Sequence, residues 1–306
     1  MRHRLTLRQT ASLLGVFVAV SVLAACVPLP ASEMPRAPAS HGVWYVDNAA
    51  NGGNNGTSWT DAWESFGAID WGPGGMIAGD TLCISGGASS KTYSETLTVG
   101  ASGSAGAPIV IDVGANSPTP SGHDGTVIID GGSTRSSGIV VSNRVYISIN
   151  GLDAQQNYRL LVQNHTGVGV GSVQVSNSSY TNIDYVMVNH GRSRGVFFDS
   201  VDHSRIRGCD VRTGFVNTAV QTDGLYLQFG NDNIVENNVV VLSNADTSNH
   251  MDCLQVANGE NRLTIRNNWL EWTNGLGNDQ SQTFIIEGSS DWVRFYNNVV
   301  LGSSGN

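Results

Sequence analysis

The sequence predicts an all-β fold: a single chain winding a right-handed parallel β-helix, in coils of about 22–30 residues, behind a short N-terminal cap. Three observations predict it. Gln221-Thr-Asp-Gly-Leu-Tyr-Leu-Gln228 is echoed by His250-Met-Asp-Cys-Leu-Gln255, with Asp223 and Asp252 29 residues apart. The doublets Asn237-Asn238, Asn267-Asn268 and Asn297-Asn298 follow in the same phase, 30 residues from one to the next. Aligning these frames stacks Val196, Leu225, Leu254 and Phe284 in one column, and Phe198, Leu227, Val256 and Ile286 in a second. Apolar columns two residues apart are the inward side of parallel strands laid coil on coil. Long helical patterns are absent.

Residues 1–25 read as an export signal. Arg2, Arg4 and Arg8 precede an apolar run from Ala11 to Ala25, too short for a membrane span and closed by small residues. Leu23-Ala-Ala-Cys26 resembles the lipobox of bacterial lipoproteins, which implies lipid attachment at Cys26. Residues 26–41, rich in Pro, Ala and Ser, then form a flexible tether. The expected location is the bacterial cell envelope or the extracellular space, with membrane contact through the lipid alone and the chain a monomer.

Composition agrees with an exported polar β protein. There are 37 glycines, 13% charged residues, 16 basic and 25 acidic side chains. Removing the three signal arginines leaves 13 basic against 25 acidic, a formal charge of 13 − 25 = −12. That balance argues against a nucleic-acid partner, whose phosphates need a basic face. A polysaccharide partner fits, and an acidic one would need local arginines or a cation to offset repulsion. With Cys26 assigned to lipid, Cys83, Cys209 and Cys253 leave at least one free thiol, and Cys253 sits in a strand frame as a small hydrophobe.

Residues 42–132 form the cap and first coils. Val43-Trp-Tyr-Val-Asp47 is a strand, the Gly- and Asn-rich stretch 51–57 a turn, and Thr60 to Ile69 a short amphipathic helix with Trp63, Phe66 and Ile69 on one side. Short β runs follow at 79–84, 95–99, 108–112 and 127–131, each bounded by turn residues. The order Tyr45-Val-Asp47, Gly56-Thr57, Trp63, Gly79-Asp-Thr81, Tyr93-Ser-Glu95, Pro108 to Ile111 and Ile129-Asp-Gly131 resembles the opening of pectate-lyase-like parallel β-helix proteins and polysaccharide lyases. The resemblance runs from Trp44 to Asn306 and is specific for fold. From Arg144 onward, β runs are expected at 145–150, 183–188, 195–199, 204–207, 225–228, 234–241, 254–257, 263–266, 284–287 and 293–296. The asparagine doublets read as ladders at a coil corner, where Asn accepts a left-handed backbone. The end at Asn306, directly after a strand, reads as an uncapped solenoid and suggests a truncated sequence.

Chemistry concentrates just before the strands. One column reads Arg194, Asp223, Asp252 and Gln282; another, two residues earlier, reads Arg192, Gln221, His250 and Gln280. Coils lie about 4.7–4.9 Å apart, so Asp223 and Asp252 are stacked like charges with Arg194 beneath them. Such a pair shares a proton, binds a cation or pairs with arginine. Strand parity from Leu225 and Leu254 directs both carboxylates inward, unless turns at Gly195 and Gly224 break it. The alternatives are a solvent-facing site and buried corner residues bonded to backbone amides. Phe197, Tyr226 and Gln255, then Asp199, Gln228, Ala257 and Glu287, form the outward set. Of these, Phe197, Tyr226, Gln228 and Gln255, with Arg192, are the expected glycan contacts.

Resemblance supplies two templates. Uronate lyases of this fold hold Ca²⁺ on acidic residues and use an Arg or Lys as base for the C5 proton. Asp223 and Asp252 match the metal role in type, Arg194 or Arg192 the base, and His250 completes the catalytic group; Asp202-His203 resembles a lyase-type pair. Thr222-Asp-Gly224, Met251-Asp-Cys253 and Gly259-Glu-Asn261 resemble segments of the polygalacturonase hydrolases, whose "GHG" and "RIK" motifs have no counterpart here. The expected function is therefore an exported lyase cleaving a uronate polymer by β-elimination. A polygalacturonase-like hydrolase and a non-catalytic glycan-binding surface protein are the alternatives.

Overall fold

The computed structural model describes residues 42–213, 222–243, 251–273 and 282–302. The signal segment, Cys26, the tether, and the positions of Gln221, His250 and Gln280 lie outside them. Short strands stack in parallel into sheets of fifteen and eight strands, and they line three faces of a parallel β-helix. One face carries Leu97–Thr98, Ile139–Ser142, the start of Gly171–Asp184, the start of Arg194–Asp202, then Leu225–Gln228, Leu254–Ala257 and Phe284–Ile286. A second face begins at Val43–Val46 and ends at Arg294–Tyr296. The third runs from Ser90–Tyr93 to Val299–Leu301.

The inward columns read from sequence are the observed register. Val196 pairs with Leu225, Leu225 with Leu254 and Leu254 with Phe284. Val173, Val196, Leu225 and Leu254 are fully buried, as are Phe198, Leu227 and Val256. Each such side chain stabilises the fold by roughly 1.5–3 kcal/mol relative to exposure. Among the described residues no helix is long and apolar enough to cross a membrane.

The asparagine doublets are corners. Asn237, Asn267 and Asn297 adopt φ of 57°, 57° and 55°. The second residue of each doublet stacks: Asn268 Oδ1 accepts the Asn238 N–H at 3.0 Å and its Nδ2 at 2.9 Å, and Asn268 Nδ2 donates to Asn298 Oδ1 at 2.9 Å and to the Val235 carbonyl at 3.0 Å. Earlier coils turn this corner with Tyr185 and Gly208, at φ of 59° and 62°. The expected β runs 183–188 and 234–241 are therefore each broken in two, because one left-handed residue redirects the chain from the second face to the third.

Two further expectations change, and the one for the cysteines holds. Thr60 to Ile69 is not a helix but a bridge at Trp63 followed by one 3-10 turn, Phe66–Ala68. Trp63 exchanges backbone hydrogen bonds with Tyr45 and Asp47, so pairing with the first strand replaces a helical ladder while Trp63, Phe66 and Ile69 still bury. Leu160–Gln163 and all but the last two residues of the 14-residue strand Gly171–Asp184 lie outside the expected runs; in the longer strand only Val173 and Val175 alternate inward before the mostly polar stretch from Ser176 to Asn182. Neighbouring coils on both sides satisfy its backbone, so apolar alternation is needed at few positions. Cys83, Cys209 and Cys253 are all buried free thiols; burial pushes Cys83 and Cys209 up to about 12.

Candidate functional site

The site grows from the residues that precede three first-face strands. Gly195 and Gly224 have no left-handed φ; a Cβ on Gly195 would stand 2.6 Å from Val211 Cγ1, and one on Gly224 2.5 Å from Val240 Cγ1. A Cβ on either glycine would point toward the third face, as Cys253 does from the same place in the next coil, while the residues that follow, Val196, Leu225 and Leu254, are also in the core, so strict alternation is broken at this position. Asp223 accordingly meets Arg194 on the side of the outward Phe197 and Tyr226 rings, and both Asp223 and Asp252 are covered, 1% and 0% exposed.

Both carboxylates cap the coil above. The Asp252 N–H donates to Asp223 Oδ1 at 3.1 Å, and the Gln282 N–H to Asp252 Oδ1 at 2.6 Å. Asp223 Oδ2 accepts from Arg194 Nε at 3.2 Å. Arg194 Nη1 also donates to the Gly169 carbonyl at 3.1 Å, and the guanidinium lies 4.6 Å from the Phe197 ring centre and 3.9 Å from that of Tyr226. Such contacts hold a planar cation in place better than an ion pair alone. The Arg194 side chain keeps 16% exposure. Burial first, then the charge of Asp223, raises the Asp252 carboxyl to about 7. One acid is thus poised near neutrality one coil from another that is tied to a cation.

The outward set forms a continuous row. Gln174, Phe197, Tyr226, Gln255 and Ile285 are register partners, and so are Ser176, Asp199, Gln228 and Ala257. Phe197 meets Tyr226 edge-on at 5.1 Å, and the two cluster with Ala257. Gln228 Nε2 donates to Asp199 Oδ1 at 3.1 Å, and Gln255 Nε2 to Glu287 Oε2 at 2.9 Å. Phe197, Tyr226 and Gln255 are buried although they point away from the core, so other atoms of the chain cover this stretch. Burial is also the main cause that raises the Tyr226 hydroxyl.

Of the residues singled out from sequence, Arg194, Asp223, Asp252, Phe197 and Tyr226 come together directly, with Gln228 and Gln255 on the same face. Arg192 is half-buried, its Nε without a hydrogen-bond partner and its N–H bonded to the His165 carbonyl. His250 and Cys26 lie outside the described residues. His203 sits on a different corner, stacked on Tyr180 at 5.1 Å. Lys91, unplaced from sequence, pairs with Asp47 on the cap side of the helix. Sequence reasoning missed Gly169 and Gln174, whose strand went unrecognised.

Calcium requires six to eight oxygen ligands. Three carboxylate oxygens of Asp223 and Asp252 already accept hydrogen bonds, and among the described residues no group of three or more acidic, His or Cys side chains could hold a metal ion. The described donor set is that of a backbone-capping ladder, and by itself it does not make up a calcium cage.

No protein-family model and no curated protein matches this chain. Among solved structures it is similar in fold to the pectate lyase Pel9A, with a TM-score of 0.53 and 16% identity over 75% of this chain and 53% of that one. It is also similar to a rhamnogalacturonan lyase, with a TM-score of 0.51 and 15% identity over 87% of this chain and 63% of that one. The chain spans about half the length of the first and less than two thirds of the second. At such identities the likeness is one of fold, the parallel β-helix.

Proposed function

We propose that this chain is an exported polysaccharide-active protein that cleaves a uronate-containing glycan by β-elimination. The observation that carries the reading is Arg194, held by Asp223 and two aromatic rings on the outward face, with a second acid poised near neutral pH one coil away. In the reaction a base removes the C5 proton, its electron pair forms the C4=C5 bond, and the C4–O bond breaks with the leaving oxygen taking a proton. The Arg194 guanidinium offsets the uronate carboxylate, which eases proton loss from the adjacent carbon. Because Asp223 commits Arg194 to charge balance, we assign the proton-accepting role to His250, two residues before Asp252; imidazole is the ordinary base near pH 7. Arg192 and Gln228, which keep some exposure, are assigned to the glycan, whereas Phe197, Tyr226 and Gln255, expected as contacts, are covered by the chain. No step is routed through calcium. The N-terminal segment and Cys26 support export and lipid anchoring.

The second reading is hydrolysis. It is favoured by one observation, the division between a raised Asp252 and an Asp223 paired to arginine, which is how two carboxyls take acid and base roles. Direct stacking, near 5 Å, is shorter than the roughly 6.5–9.5 Å of inverting hydrolases. One assay separates the readings. Signal-free protein with Cys26 replaced is incubated with pectate, alginate, glycosaminoglycans and neutral glycans, with and without chelator, while ultraviolet absorbance and reducing ends are followed. Both signals rising together is the expected result, with Asp223→Asn and Asp252→Asn inactive but unchanged in circular dichroism. Reducing ends without absorbance would replace elimination by hydrolysis. Parental activity in both variants would refute the site, and no signal on any glycan would leave binding as the function.

A further inference from the structure

Arginines in this acidic chain are mostly neutralised. Arg159, Arg194, Arg205, Arg207, Arg212, Arg262 and Arg266 each pair with a carboxylate, and Arg144 donates to carbonyl oxygens. Three described arginines make no side-chain hydrogen bond or ion pair: Arg135, Arg192 and Arg294. Two of the three share one flank of the outward face. The Thr166 N–H donates to the Arg135 carbonyl, and the Arg192 N–H to the carbonyl of His165. Their backbones are therefore two coil rises, roughly 10 Å, apart.

Arg135 is exposed and opens on a cleft lined by Thr96, Thr134, Ser136, Ser137 and Val140. Val140 ties that cleft to the candidate site, because it pairs with Gln174, Gln174 with Phe197, and Phe197 with Tyr226. The cleft thus lies on the same outward row as Tyr226, three coils or about 14 Å toward the N-terminus. A guanidinium with a free fork beside four hydroxyl-bearing side chains offers a planar pair of donors for a carboxylate and donor–acceptor groups for sugar hydroxyls. With a formal charge of −9 the protein as a whole repels a polyanion, so a local unpaired cation decides where one settles.

We infer that the Arg135 cleft is a second anionic-sugar subsite, so that an acidic glycan lies across the coils, parallel to the helix axis, with one acidic group on Arg135 and another near Arg192. The inference rests on the proposed acidic glycan substrate but not on the chemistry performed on it. The test is binding of polygalacturonate, alginate and a neutral galactan to signal-free protein by affinity electrophoresis and calorimetry, with turnover followed in parallel. Arg135→Ala weakens binding of the acidic polymers about tenfold, the loss of one charge-assisted contact, and leaves the neutral polymer unchanged. Arg135→Lys recovers part of that affinity. Arg294→Ala, which removes an equally unpaired charge from the second face, has no effect. Parental affinity in Arg135→Ala, an equal loss in Arg294→Ala, or no binding of any acidic polymer by the parent overturns the subsite. Loss of binding in Arg135→Ala when the parent shows no turnover upholds the subsite and rejects the lyase reading.

Discussion

Asp252→Asn tests the energetics of the acid ladder. In the folded chain burial and the neighbouring Asp223 raise this carboxyl from 3.8 to about 7. The difference is about three pH units, and at 1.36 kcal/mol per unit it amounts to roughly 4 kcal/mol. The folded value is the higher one, so the stabilising contribution of the protonated acid is complete below pH 3.8 and is lost as pH rises through 7. Asparagine keeps a carbonyl oxygen for the Gln282 N–H, which meets Asp252 Oδ1 at 2.6 Å, and it carries no charge at any pH. The variant should therefore gain on the parent as pH rises, by several kcal/mol between pH 4 and pH 8. Glu260, buried and raised to about 7, and His165, buried and lowered to about 4, titrate in both chains and cancel in the comparison. The assay is urea unfolding followed by tryptophan fluorescence at half-unit pH steps. Stacked coils need not unfold in one transition, so the same signal is compared in both chains. A stability difference that does not change with pH would refute the reasoning, since it would mean that Asp252 is ionised at ordinary pH in the folded protein.

Two other substitutions probe the frame that carries the site. Asn268→Ala removes four ladder hydrogen bonds and leaves buried amide partners unsatisfied, at a cost of roughly 3–5 kcal/mol. A thermal midpoint within a degree of the parent would show that the ladder is incidental. His165→Leu removes a fully buried imidazole whose nitrogens have no hydrogen-bond partner, and burial is the main cause of its lowered value. Because the unfolded ring takes up a proton below about 6.5 and the folded ring only below about 4, the parent loses roughly 3 kcal/mol on acidification across that window. The variant should be flatter there in thermal midpoints measured from pH 7 to pH 4, and an unchanged acid profile would place the loss elsewhere.

What the sequence determined by itself was the repeat. A period near 30 residues and two apolar columns two residues apart identify inward positions, and the observed register joins Val196, Leu225, Leu254 and Phe284 as read. The asparagine corners were equally legible, because Asn accepts a left-handed backbone and recurs there in phase, although Tyr185 turns the same corner in an earlier coil. The same frame brought Arg194, Asp223 and Asp252 into one column, since residues in phase in a solenoid are neighbours in space. The strand Gly171–Asp184 was not legible: its backbone is satisfied by two flanking coils, so its own sequence can be polar. Tertiary structure alone decided the direction of the carboxylates. Strict parity pointed them inward, and the break at Gly195 and Gly224, whose Cβ positions point at Val211 and Val240 in the core, brings Asp223 to Arg194 beside the Phe197 and Tyr226 rings. It also decided what the acids bond. Capping of the next coil's N–H by Asp223 and Asp252, and the setting of Arg194 between Asp223 and two rings, depend on side-chain positions across three coils, which no one repeat encodes.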